Sequence, residues 1–243
     1  MRTSPVGRSA KRAPKVERHK PPRAQSAIIE DADALKSRAG KIAEFLEREY
    51  PDARCMLDHG NSFELLIATI LAAQCTDERV NSVTPALFRR YPDPAAMAGA
   101  DIGELEELVR STGFFHSKAK NIRGAAEALS SGSPGGFPRT IEELVAIPGV
   151  GRKTANVVLG TCFGLPAIIV DTHFHRVTRR LGLARAEVPD AIEAELQQLL
   201  PPEKWTRFSH GVTFHGRRRC KAKKPHCPAC VLRPLCPWPE KTA

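Results

Sequence analysis

The sequence predicts an all-α protein, and three observations carry that prediction. Beyond residue 34, apolar side chains recur at helical spacing through most of the chain. Strand-like alternation is scarce: only residues 167–170 look strand-like, and they could equally be an extended connector. The periodic stretches are joined by short links, as packed helices require.

The elements follow in order. Leu35, Ile42, Phe45 and Leu46 share one face of a helix that ends near Tyr50 and Pro51. Asn61-x-x-Glu64 resembles a capping box and opens a second helix. In it Leu65, Leu66, Ile67, Ile70 and Leu71 wrap most of the circumference, which suits a central, buried helix. Helices are expected next over residues 77–90, 101–111 and 117–130. Residues 131–138, SGSPGGFP, are too rich in Gly and Pro for anything but a loop. Thr140-x-x-Glu143 is a second capping box, leading into Leu144, Val145 and Ile147. Further helical stretches fit residues 152–162, 172–181, 189–199 and 203–214.

Charge and composition narrow the partner. The 243 residues carry a formal charge of +10, so an acidic partner is expected. Residues 1–25 hold eight Lys or Arg against one Glu, hence +7 of that total. This Pro-rich tail has almost no apolar anchor and should be disordered. It contains no Leu, Ile or Phe, which argues against the amphipathic helix of an organelle transit peptide. No secretory signal is visible, and the longest strongly apolar run, residues 65–73, is too short to span a bilayer. Seven cysteines, an odd number, fit a reducing cytoplasm better than a disulfide framework.

Four of them close the chain. Cys220, Cys227, Cys230 and Cys236 form C-x6-C-x2-C-x5-C, enough thiolates to saturate a four-coordinate metal centre. Structural zinc usually takes two close pairs, and only Cys227 and Cys230 make one. The wider, unequal spacing favours the larger iron–sulfur cluster, with zinc still open. Arg217, Arg218, Arg219, Lys221, Lys223 and Lys224 crowd the front of the motif, where they can meet phosphate. Cys55, Cys75 and Cys162 lie in apolar stretches and read as small core residues.

The stretch at 148–153 joins two helical patterns through Pro148, Gly149, Val150, Gly151, Arg152 and Lys153. Pro148 ends the first helix. The glycines permit unusual backbone angles and expose consecutive amides at the start of the next helix, an anion site. A mononucleotide P-loop needs Gly and Lys adjacent, but Arg152 intervenes. A dinucleotide fingerprint is approached by Gly149-x-Gly151-x-x-Thr154, with Asp171 downstream. Thr154 replaces its third glycine, however, and the preceding segment is helical. The third reading is a helix–hairpin–helix holding a DNA phosphate without reading sequence.

LVAIPGVGRKTANVVL (residues 144–159), then IIVDTHFHRV (168–177), then the four-cysteine loop closely resemble the endonuclease III family of base-excision DNA glycosylases. The similarity runs from about residue 34 to Cys236. The resemblance implies that Lys153 is the nucleophile, that Asp171 is its partner, and that the four cysteines hold one 4Fe-4S cluster. It also implies wedges that fill the gap left when the target base leaves the stack. These fall on Gln74 in AAQCTD and Phe114 in STGFFHSKA. The family commonly shows Leu then Tyr at the second site; this chain has Phe114 and Phe115.

The chemistry is consistent with that assignment. A lysine amine must shed its proton before it attacks carbon. Asp171 can accept a proton, or stabilise the positive sugar that forms as the base departs. Plainer roles exist for each: Lys153 as a phosphate contact, Asp171 as a helix N-cap, Phe114 as a core aromatic, His173 and His175 as packing or phosphate contacts. The family implies two helical lobes with DNA crossing between them. Residues 60–165 would carry the hairpin, and residues 34–59 with 166–243 the cluster loop. The expected function is bifunctional glycosylase and abasic-site lyase action on oxidised pyrimidines, by a monomer, on duplex DNA with damaged bases or abasic sites, with no membrane partner. Cytoplasmic, nucleoid-associated action is expected in a bacterium, and organelle or nuclear action in a eukaryote. An adenine-mismatch glycosylase of the same superfamily typically lacks the lysine and carries a further domain. Here Lys153 is present and seven residues follow Cys236. A non-enzymatic DNA-binding module need not keep both Lys153 and Asp171.

Overall fold

A computed structural model of the protein describes residues 30–132 and 136–242. The basic tail, residues 1–25, and the centre of the predicted loop, residues 133–135, lie outside them. The described residues form eleven α-helices and three short 3-10 turns, with no strand.

Helix α1 (Ala32–Glu49) starts where Asp31 accepts the Ala34 amide at 2.7 Å. It buries Ala39, Ile42, Ala43 and Leu46. Phe45 does not join them: it is 36% exposed, with the Arg48 guanidinium over its ring. At 100° per residue Phe45 sits roughly 110° from the centre of the buried stripe. Helix α2 (Ser62–Leu71) is capped by Asn61, while the Glu64 carboxylate accepts from Gly60 rather than closing a reciprocal box. All its residues but Ser62 and Glu64 are buried, as its apolar circumference predicts.

Helices α3 (Asp77–Arg90), α5 (Ile102–Val109) and α6 (Phe115–Ser130) take the expected places. Between them lies a short helix that was not expected, α4 (Pro94–Ala98). Its sequence, Pro92-Asp93-Pro94, reads as a turn. Yet Asp93 caps the helix, and Pro94 occupies the first position, where a missing N–H costs nothing. Helix α7 (Ile141–Val145) carries the reciprocal Thr140–Glu143 capping box. Helices α8 (Arg152–Cys162), α9 (Thr172–Arg180), α10 (Pro189–Gln197) and α11 (Trp205–Arg218) complete the chain before the cysteine loop.

Buried apolar side chains gather in two clusters. One is built from α2–α8 and includes Leu65, Leu66, Ile122, Leu144 and Val158. The other joins α1 to α9–α11 and the cysteine loop through Ile42, Leu46, Phe174, Val212 and Leu232. The connector at 167–170 runs between them. Its unbroken apolar run has a physical use, since successive side chains point to opposite sides: Ile168 faces the second cluster and Ile169 the first. Its backbone finds no strand partner. The Ala167 and Ile169 amides donate instead to the Thr206 and Ser209 hydroxyls of α11.

Candidate active site and cysteine pocket

The hairpin between α7 and α8 is held by local sterics. Gly149 has φ +78°, and a Cβ there would sit 2.7 Å from Cβ of Asn121 on α6. Val150 is buried and anchors the turn in the first cluster. Gly151 caps α8 without a side-chain acceptor, so the first-turn amides of α8 have no capping oxygen. That arrangement suits an anion. Lys153, the second residue of α8, is exposed beside it.

Asp171 opens α9, and its Oδ1 accepts the Phe174 amide at 2.7 Å, so the plain N-cap role is real. Its other oxygen is left for further work. Lys153 and Asp171 line one open cleft, together with Gln74, Cys75, Asp77, His173, His175 and Arg217. His173 accepts from Arg176 through Nδ1, and burial lowers its pKa. His175 meets the Glu187 carbonyl through Nε2 at 3.0 Å, so that nitrogen donates. Both rings have structural partners, in keeping with supporting roles.

Three non-glycine residues among those described have left-handed backbone: Gln74 (φ 54°), Phe114 (φ 50°) and Lys224 (φ 51°). Such a conformation is costly for an ordinary side chain and concentrates at functional positions. All three belong to the set that the sequence assigns to DNA. Phe114 is 68% exposed and therefore not a core aromatic. Phe115, by contrast, packs against the first cluster with the Arg110 guanidinium over its ring. Beneath the Phe114 turn, buried Lys118 donates to the Thr112 carbonyl at 2.7 Å, and burial lowers its pKa. The Lys118 amide donates to the Phe114 carbonyl.

The basic residues near the cysteines divide. Arg217 pairs with Asp77 of α3 at 2.7 Å, linking the two clusters at the rim of the cleft. Arg218 pairs with Asp52 and lies over the Phe214 ring. Arg219 lines the cysteine pocket. Lys221, Lys223 and Lys224 are exposed. Arg152 faces Glu193, a buried carboxylate on α10.

Cys220, Cys227, Cys230 and Cys236 are free thiols lining a single pocket between α9, α11 and the last loop. Among the described residues, no three His, Cys, Asp or Glu side chains converge tightly enough for a single metal ion. Four thiols lining one pocket offer the donor chemistry that a metal–thiolate group takes. Donors already face the sulfurs: Arg180 Nη1 lies 3.4 Å from Cys220 Sγ and His215 Nε2 3.6 Å from Cys230 Sγ. Burial holds His215 neutral, with a pKa lowered to about 4, and raises the Tyr50 phenol to about 12. The Tyr50 hydroxyl lies 3.0 Å from His215 Nδ1. If that hydroxyl donates, Nε2–H is left to donate to Cys230. Cys55, Cys75 and Cys162 pack partly buried against the first cluster, and Cys75 also lines the cleft.

Glu193, Asp77 and Lys118 were not singled out by sequence. Asp77 and Lys118 do stand inside the AAQCTD and STGFFHSKA stretches; nothing in the pattern of α10 marks Glu193. No helix among the described residues is long and apolar enough to cross a membrane.

Comparison with known proteins agrees with this geometry. Residues 67–202 match the HhH-GPD superfamily of base excision DNA repair proteins. Endonuclease III of Synechocystis is 50% identical over 213 residues, 87% of this chain and 97% of the relative. The Escherichia coli K12 enzyme is 38% identical over 206 residues, 85% of this chain and 98% of the relative. A trapped covalent intermediate of endonuclease III with DNA superposes with TM-score 0.79 at 44% identity, covering 83% of this chain and 95% of that one. A thermostable thymine-DNA glycosylase shares the fold, with TM-score 0.75 at 24% identity over 87% of this chain and the whole of the other.

Proposed function

The chain belongs to the endonuclease III family, and from that premise we propose how its own residues carry out base removal. It is a base excision repair DNA glycosylase acting on damaged bases. The finer reading is a bifunctional glycosylase and abasic-site lyase for oxidised pyrimidines in duplex DNA. One observation carries it: Lys153 and Asp171, from different helices, line the same cleft as Gln74.

The duplex crosses the cleft. The hairpin amides of residues 149–151 and the exposed Lys221, Lys223 and Lys224 take phosphates, which position DNA without reading it. Gln74 and Phe114 enter the stack as the damaged nucleotide turns out. The neutral Lys153 amine attacks C1′, the glycosidic bond breaks, and the base leaves with the bond's electron pair and takes up a proton. The free carboxylate oxygen of Asp171 stabilises the cationic sugar and receives the amine proton. Asp171 returns that proton to the ring oxygen O4′ as the C1′–O4′ bond breaks, which opens the sugar and gives a Schiff base on Lys153. The regenerated carboxylate takes a C2′ proton, and the electron pair expels the 3′ phosphate and cuts the strand.

Cys220, Cys227, Cys230 and Cys236 would hold one 4Fe-4S cluster. When bound, it would crosslink the chain from the end of α11 to Cys236, and no step of base removal runs through it. Duplexes carrying single defined lesions test the reading. Strand cleavage at thymine glycol, with little at undamaged thymine, is expected. Base release without strand cleavage would remove the lyase half.

A further inference from the structure

We propose that Arg152 and Glu193 form a positioning pair that holds the nucleophile and its partner carboxylate in register, and that Arg152 is not a DNA contact. The inference rests on the assignment of Lys153 as nucleophile.

Glu193 is only 4% exposed, yet it is a carboxylate, and its surroundings are built for it. Arg152 grips it with two parallel bonds, Nε to Oε2 at 2.8 Å and Nη2 to Oε1 at 2.9 Å. This fork geometry is directional as well as strong. Asn156 Nδ2 donates to Oε2 at 3.1 Å, and Gln197 Nε2 to Oε1 at 3.3 Å. The pair joins α8, in the first cluster, to α10, in the second.

Two links connect it to the chemistry. Arg152 is the first residue of α8 and Lys153 the next, so fixing the Arg152 fork fixes the first turn that carries the amine. Asn156, held by Glu193, also donates from Nδ2 to the Ile168 carbonyl at 2.9 Å. Ile168 lies in the connector that delivers Asp171 three residues later. One buried carboxylate therefore references both reacting groups to one point. A cation at the first position of a helix is opposed by the dipole, and Glu193 offsets that cost. It also occupies two guanidinium donors, Nε and Nη2, that a phosphate would otherwise take.

The test separates positioning from phosphate binding and from plain stability. DNA affinity is measured against salt, and single-turnover base release at saturating enzyme, for the wild type, Arg152→Ala, Glu193→Gln and the double variant. A lost phosphate contact lowers the salt slope by ~0.9. The expected result is an unchanged slope for Arg152→Ala, with a release rate constant reduced roughly 10- to 100-fold, as small misplacements of reacting groups do. Glu193→Gln should reproduce the loss, and the double variant should lose little more, because the two act as one unit. Titration with excess lesion duplex counts active enzyme, whereas the single-turnover rate constant at saturating enzyme reports geometry. If Glu193→Gln does not fold, Arg152→Ala decides alone. A slope lower by about one with an unchanged rate constant would overturn the proposal, as would a reduced active fraction with a normal rate constant. Wild-type base release with no borohydride-reducible adduct would instead overturn the nucleophile assignment, a separate outcome.

Discussion

At the scale of single residues, function depends on groups that each do two things. Asp171 caps α9 with one carboxylate oxygen and leaves the other for the cleft. Asp171→Asn keeps a capping oxygen but loses the charge, so it should fold normally and release base ~100- to 10,000-fold more slowly. Single-turnover kinetics on thymine-glycol duplex check this; an unchanged rate would remove Asp171 from the mechanism. Gln74 and Phe114 show how motif and backbone speak together. Short strings identified them, and only coordinates revealed that each sits at positive φ. Glu193 was illegible for a physical reason. One of two Glu in the polar-looking stretch PDAIEAELQ, it reads as part of a solvated face, because its burial is set by α8, which lies 41 positions earlier at Arg152. Phe45 failed the other way: apolar and at helical spacing, it fell at the edge of the stripe.

At the scale of elements, most helices were legible from apolar periodicity, with caps agreeing at Asn61, Thr140 and Asp171. The short α4 was hidden by prolines that serve both turns and helix starts. The hairpin is the element whose geometry is least tolerant. Gly149→Ala places a Cβ against Asn121 at a φ that alanine resists, which should cost about 1–3 kcal/mol and weaken DNA binding. Denaturant midpoints and DNA titrations read the two effects separately. Helix α11 carries a pH liability. Burial, reinforced by Arg207 and Arg217 and opposed by Asp171, lowers the His210 pKa from 6.5 to about 4. Between these values the unfolded chain binds a proton that the folded chain refuses, so stability falls as pH drops through that window. From pH 7 to 5 the contribution is about 2 kcal/mol. His210→Gln should lose less stability than the wild type over that interval in denaturant titrations; parallel curves would contradict the assignment.

At the scale of the whole molecule, two apolar clusters are fastened along one seam, and the cleft opens there. The connector at 167–170 alternates between them, Arg217 reaches Asp77 across them, and Arg152 reaches Glu193. The sequence showed that helices exist and which short strings matter; it could not show this seam, because each tie joins residues far apart in the chain. The cysteine loop closes the second cluster. Freshly purified protein should be yellow-brown, with about four irons per chain. One zinc and no iron would reverse the cofactor assignment. The central claim is that the cleft presents Lys153 to the sugar of an extruded nucleotide. Reduction with borohydride during turnover on thymine-glycol duplex, followed by peptide mapping of the protein–DNA adduct, tests it most directly. A single crosslinked residue, Lys153, is expected, and no adduct with Lys153→Ala, which should still bind the duplex. An adduct on any other residue, or one that survives in Lys153→Ala, would contradict it.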